Sequence, residues 1–138
     1  MNQNNRPKTQ HHAPGVDDEL SRHGGLTYLE IPATDPNQSA DFYRIVLGWI
    51  ITDSENGQPK FSDPTGHLIG RWITTRAISR KPGFLPFIYV DHIDAIVRLA
   101  ASHGAEIVKP IYREGNLFIS ILRDPAGNML GLWQAAPA

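Results

Sequence analysis

This chain has six histidines, a set of carboxylates and several aromatic rings to work with, but no cysteine. Thiolate nucleophiles, disulfides and cysteine-ligated zinc or iron–sulfur centres are therefore excluded. A divalent-metal site would need three or four nitrogen or oxygen ligands on one surface. The histidines do not offer that pattern. His11 and His12 stand in a polar N-terminal stretch, and His23 lies at its edge. His67 follows a turn and points away from the expected cleft. His92 starts a helix, and His103 falls in that helix's last turn, where an imidazole complements the dipole. Ser39, Ser62, Ser79, Ser102 and Ser120 sit in no G-x-S-x-G elbow. No glycine pattern cradles a phosphate. That leaves Glu30 as the carboxylate most directly placed for chemistry. Buried, it would rise in pKa and serve as a general base. Paired with an arginine such as Arg71 or Arg123, it would be structural. The other candidates are rings and a thioether: Tyr28, Trp72, Phe87, Tyr89, Met129 and Trp133 as ligand-binding side chains.

The elements that must position these residues come in two copies. Phe61-Ser-Asp63-Pro-Thr-Gly66-His-Leu-Ile-Gly70-Arg-Trp72 recurs as Leu122-Arg-Asp124-Pro-Ala-Gly127-Asn-Met-Leu-Gly131-Leu-Trp133, at an offset of 61. Asp first, Pro second and Gly fourth suit a type I turn. Upstream, Leu26–Ile31 and Leu85–Val90 both read as strands. Each leads into a helix. In the first, Asp35 caps, Pro36 takes the first helical position, and Gly48 stops the run. In the second, Asp91 is the expected cap. Ile93, Ile96, Val97 and Ala100 follow the helical period, and Gly104 ends it. Strands follow over Trp49–Asp53, Phe61–Ser62 and Gly66–Thr74, then over Glu106–Lys109, Leu117–Leu122 and Gly127–Trp133.

The expected fold is therefore α+β: two tandem βαβββ modules forming a curved half-barrel with a concave cleft. Module 1 runs over 24–74, a linker over 75–83, and module 2 over 84–134, all within one domain of 24–136. Residues 1–23 read as a disordered tail, with Asp17, Asp18 and Glu19 a solvated acidic cluster. Strand parity assigns the faces. Leu29 and Ile31 suit the helix-covered side. Tyr28 and Glu30 then face the cleft, with Leu85, Phe87 and Tyr89, with Leu68, Gly70 and Trp72, and with Met129, Gly131 and Trp133. Two glycines in mid-strand would leave room for a ligand to approach.

Composition narrows the partners. Thirteen basic and fourteen acidic residues leave a net charge of −1. No lysine- or arginine-rich tract marks a nucleic-acid surface. No apolar run approaches the roughly 20 residues a membrane span needs, and the N-terminus lacks a secretory core. A cytoplasmic location is the expectation.

Ile31-Pro-Ala-x-Asp35-Pro, Phe42-Tyr43, Leu47-Gly48-Trp49, Val90-Asp91 and Asp124-Pro-Ala-Gly127-Asn-Met-Leu-Gly131-Leu-Trp133-Gln134 together resemble the vicinal oxygen chelate superfamily. That superfamily contains glyoxalase I, extradiol dioxygenases and the bleomycin- and fosfomycin-resistance proteins. The resemblance is strongest to bacterial proteins described as related to lactoylglutathione lyase. Metal-using members place ligands at positions that fall here on or near Leu26, Gly70, Leu85 and Gly131, none of which can ligate. What the resemblance implies is thus a small-molecule binder without the usual metal and without a cofactor, holding a partly apolar ligand among the rings with Glu30 on a polar group. Two rival expectations remain. One is a lyase, isomerase, hydrolase or dioxygenase-type enzyme, metal-dependent or using Glu30 as base. The other is a structural dimerisation module. The resemblance also implies a homodimer, with modules paired within or between chains.

Overall fold

The computed structural model describes residues 17–54 and 56–137. His11, His12 and most of the expected tail lie outside the described residues. The elements run β1 (Tyr28–Pro32), α1 (Pro36–Leu47), β2 (Ile50–Asp53), β3 (Pro59–Ser62) and β4 (Ile69–Ile73). They continue with β5 (Phe87–Tyr89), α2 (Ile93–Ser102), β6 (Glu106–Glu114), β7 (Leu117–Arg123) and β8 (Met129–Ala135). This is the α+β arrangement of two tandem βαβββ modules.

Local chemistry accounts for the helices. Asp35 is the N-cap of α1 and accepts a hydrogen bond from the Gln38 N–H at 3.2 Å. Pro36 follows it, and Gly48 closes the helix at φ +72°. At α2 the expected cap is corrected. His92, not Asp91, holds the N-cap position and makes no side-chain cap bond. Gln134 of β8 supplies it instead, its Oε1 accepting from the Ile93 N–H at 2.7 Å. The sheet thus holds the helix entrance that the local sequence leaves uncapped. At the other end, His103 Nδ1 lies 3.0 Å from the Leu99 carbonyl.

Each module forms a four-stranded sheet, in the orders β1-β4-β3-β2 and β5-β8-β7-β6. The edge pairs β1–β4 and β5–β8 are parallel, and the others antiparallel. Among the described residues the two sheets share no ladder, and no closed barrel forms. They share a core instead. Ile31, Phe42, Tyr43, Val46, Trp49, Phe61 and Trp72 of module 1 are continuous with Val90, Ile93, Leu122, Leu130 and Leu132 of module 2, and α1 packs on α2. In module 1 the core is aromatic. Ring centroids lie 4.7 Å apart for Tyr43–Trp49, 4.6 Å for Trp49–Phe61 and 4.9 Å for Phe61–Trp72. Such pairs each add about 0.5–1.5 kcal/mol beyond their burial.

A buried polar joint links the modules. The Tyr43 hydroxyl donates to Asp124 Oδ2 at 2.8 Å. Asn128 Nδ2 donates to the same oxygen at 3.0 Å and to the Pro32 carbonyl at 2.7 Å. Burial, then the Asp124 charge and the hydrogen bond, push the Tyr43 phenol well above its usual value of 10.0. The consequence for stability has a definite sign. Below about pH 10 the phenol is protonated in both states and the joint contributes fully. Above that, the unfolded chain ionises first, so stability falls as pH rises. Tyr43→Phe is expected to flatten this alkaline slope in a series of melting curves between about pH 8 and 11. An unchanged slope would place its origin elsewhere.

The described end of the expected tail makes a contact with module 1. A short 3-10 helix spans Asp18–Leu20, and Glu19 Oε1 lies 2.8 Å from His67 Nε2. The expected linker is also fastened. The Arg80 carbonyl accepts from Arg123 at 3.1 Å, and Arg76 reaches back to Glu30.

Candidate functional site

Strand pairing decides which candidate residues can meet a ligand. In module 1, Leu29 and Ile31 face α1 and the core, as expected. Their partners on β4 are Gly70 and Trp72, so these two also face the core. This corrects the placement of Trp72, which is only 2% exposed and lies against Phe61 and Tyr43. Leu68 packs on the same core. The cause is one residue in a turn. The Asp63 N–H donates to the carbonyl of Leu68, whereas the Asp124 N–H donates to that of Asn128. The first turn is a residue longer, so side-chain parity inverts along β4 relative to β8. The ladders agree on the faces: Ile73 pairs with Pro32 and Trp133 with Tyr89, both on the uncovered sides. Trp133 therefore corresponds to Ile73 rather than Trp72.

The uncovered face of module 1 carries Tyr28, Glu30, Ile69, Arg71, Lys60 and Ile50. Tyr28 pairs across the ladder with Ile69, Glu30 with Arg71, and Arg71 with Lys60. The uncovered face of module 2 carries Phe87, Tyr89, Met129, Gly131 and Trp133, as parity indicated. Tyr28, Phe87 and Tyr89 are about half exposed. Tyr89 and Trp133 meet edge to face at 5.0 Å.

These rings do not all meet in one cavity: Tyr28 and Trp72 line one groove, and Phe87 and Tyr89 share another of about 720 Å³. Tyr28 lines an open groove of about 760 Å³ with Lys60, Arg71 and the β2–β3 hairpin. Phe87 and Met129 also line a groove of about 370 Å³ at the seam between the sheets, with Leu26, Glu30, Pro32, Phe84 and Leu130. The mid-strand glycines do not open space for a ligand either. The Phe87 ring lies over Gly131, and the Phe61 ring over Gly70.

Glu30 is the carboxylate between the Tyr28 groove and the seam groove. Arg76 Nη2 and Nε donate to its Oε1 at 2.8 and 3.0 Å, and Arg71 Nη2 to its Oε2 at 3.2 Å. Arg71 was one anticipated partner. Arg123 is instead nearly buried, donating to the Gly127 and Arg80 carbonyls. The hydrogen bonds from Arg76 and Arg71 hold the Glu30 carboxyl below its usual value of 4.5, outweighing desolvation. A carboxylate so held is a weak base and a fixed acceptor. Arg71, Arg76 and Lys60 were missed as site residues. The signal was available in the alternation of Lys60 with Phe61 and of Arg71 with Trp72, which places both cations opposite the core.

A family model for the Glyoxalase/Bleomycin resistance protein/Dioxygenase superfamily matches residues 25–132. The chain belongs to that superfamily. A curated Mycobacterium bovis protein named "Putative glyoxylase CFP32" is 29% identical over 126 residues, covering 83% of this chain and 47% of that protein. The chain thus spans about half the length of the curated relatives it matches. Among solved structures, a glyoxalase family protein from Bacillus cereus superposes with a TM-score of 0.65 at 19% identity, covering 84% of this chain and 97% of that one. TnmS3, an antibiotic binding protein from a Streptomyces species, superposes at 0.63 and 18%, covering 82% and 97%. At such identities these likenesses speak for the fold.

Metal-using members of this superfamily raise the question of whether the residues here could hold a divalent cation. Gly70 faces the core, and its neighbour on the uncovered face is the Arg71 guanidinium. Gly131 lies under Phe87, and Leu26 and Leu85 offer hydrocarbon. Among the described residues no three His, Asp or Glu side chains gather. A cation would meet guanidinium and hydrocarbon, so these positions do not fit one. No helix among the described residues is long and apolar enough to cross a membrane.

Proposed function

We propose that this chain binds a partly apolar small molecule in the seam groove between its modules, without the metal that other superfamily members use. The observation that carries the reading is the groove itself. It measures about 370 Å³, with Leu26, Phe84, Phe87, Met129 and Leu130 as apolar walls and the Glu30 carboxylate at its edge. Apolar walls with a few fixed polar groups are the usual make-up of a small-molecule site, and the volume falls in the usual range of about 300–1,000 Å³. Glu30 is pre-oriented by two guanidiniums, so it can accept a hydrogen bond from a ligand without reorganising. The antibiotic-binding activity in the name of TnmS3 supports the same class of role. Met129→Glu tests it with Nile red, a neutral apolar dye. A carboxylate in the groove wall is expected to weaken dye binding about tenfold while the melting temperature holds. Equal binding by both proteins would remove the seam groove as the site.

A homodimer belongs to the same reading. Phe84 is 95% exposed, and Tyr28, Phe87 and Tyr89 add half-exposed rings around the grooves. A second copy closing over the outer rims of these rings would bury their exposed edges and wall the grooves from outside. Sedimentation equilibrium at micromolar concentration distinguishes dimer from monomer.

A further inference from the structure

Beside the seam, the open groove on the uncovered face of module 1 has a different chemistry. Arg71 and Lys60 are direct cross-strand partners, and both line this groove of about 760 Å³ together with Tyr28, Ser54, Asn56 and Gln58. Like charges directly opposite each other on a sheet destabilise it. Arg71 is 54% exposed and gives one hydrogen bond, through Nη2, to Glu30. Its remaining N–H donors are available, because a guanidinium carries five. Lys60 is exposed, and no carboxylate among the described residues lies within ion-pair distance of it. Among the described residues, Glu30 is the acidic group that this face turns toward the cations, and it is shared between Arg71 and Arg76. Among the described residues, two arginines and a lysine stand against this one carboxylate on the face.

We infer that the ligand of this chain is an organic anion whose oxyanion head sits between Arg71 and Lys60. Its apolar body then lies along Tyr28 toward the seam. This deepens the reading above and rests on it. The guanidinium fork suits two oxygens of a carboxylate or phosphate, and the lysine adds a mobile point charge. Glu30 has two tasks in this arrangement. It anchors Arg71 in a fixed orientation, and it repels an anion that would slide too deep into the seam. Tyr28 is 49% exposed beside the cations, a ring against which a flat body can stack.

The test uses three probes of one shape: 2-naphthoate, 2-naphthyl phosphate and the neutral 2-acetonaphthone, titrated by calorimetry into the full chain. At least one anion is expected to bind about tenfold more tightly than the ketone at low salt, with the preference shrinking as salt is raised. Which anion wins decides between carboxylate and phosphate. Arg71→Gln is expected to weaken the preferred anion about tenfold and leave the ketone within about twofold. Because Arg71 also touches Glu30, Lys60→Glu provides a second variant whose side chain has no such partner, and it should give the same selective loss. The inference is overturned if the ketone binds as well as both anions, or if both variants keep full anion affinity. In that outcome ketone binding that is sensitive to Met129→Glu would leave the seam reading standing. Absence of binding by all three probes would remove both.

Discussion

Asp124→Ala is expected to lower the melting temperature by about 10 °C or more. The carboxylate is 3% exposed. Its Oδ1 accepts from the N–H groups of Ala126, Gly127 and Asn128 at 3.0, 3.0 and 2.9 Å. Its Oδ2 accepts from Tyr43 and Asn128. Removing it strands several donors at once, away from water. A buried donor left unpaired costs about 1–3 kcal/mol, so a total loss of at least about 3 kcal/mol follows even after partial rehydration. The repeat supplies its own control. Asp63 holds the corresponding turn through Gly66 N–H and Thr65 Oγ1 at 3.0 and 2.9 Å, but it is only partly buried and reaches no other module. Asp63→Ala is expected to cost about 1 kcal/mol. Chemical denaturation of the two variants checks the difference. Equal losses would mean that the tie to Tyr43 adds nothing to the turn's own hydrogen bonds.

The same pair of turns shows how far the sequence can be read. Two Asp-Pro-x-Gly segments, a capped helix with Gly48 behind it and the apolar period of α2 are local signals, and they place two βαβββ modules. The facing of β4 is not local. Identical turn letters conceal one extra residue before the strand begins, and hydrogen bonds to β1 and β3 decide where that is. An error of one residue moves every side chain on a strand to the other face, which is how the Trp72 ring comes to pack in the core rather than on the uncovered face. The charged residues held the better clue, since Lys60 and Arg71 cannot sit on an aromatic core. The partnership of Glu30 with Arg76 had no such clue, because the guanidinium arrives from the linker. Nor could parity show that the groove along Tyr28 is not lined by Trp133. The packing of α1 on α2 within a shared core sets how the two sheets sit, and that is a property of the whole chain.

Gly70 and Gly131 look interchangeable in the repeat, and they are expected to respond very differently to alanine. A Cβ on Gly70 would lie 1.9 Å from the Leu29 carbonyl oxygen and 2.6 Å from Phe61 Cζ. The first is backbone of the paired strand and the second a 3%-exposed ring within the aromatic core. Neither can yield without moving β1 or repacking Trp49 and Trp72. Gly70→Ala is therefore expected to cost about 3 kcal/mol or more. The three atoms nearest to a Cβ on Gly131 all belong to the Phe87 ring, at 2.4 to 2.9 Å. That ring is 47% exposed and can swing toward solvent, so Gly131→Ala is expected to cost less than about 1 kcal/mol. Its consequence is functional instead, because Phe87 forms part of the seam wall. Displacing the ring should change Nile red affinity while the fold persists. Denaturation midpoints and dye titrations on the two variants separate these effects. A Gly131→Ala protein as unstable as Gly70→Ala would show that the Phe87 ring is held as firmly as the core.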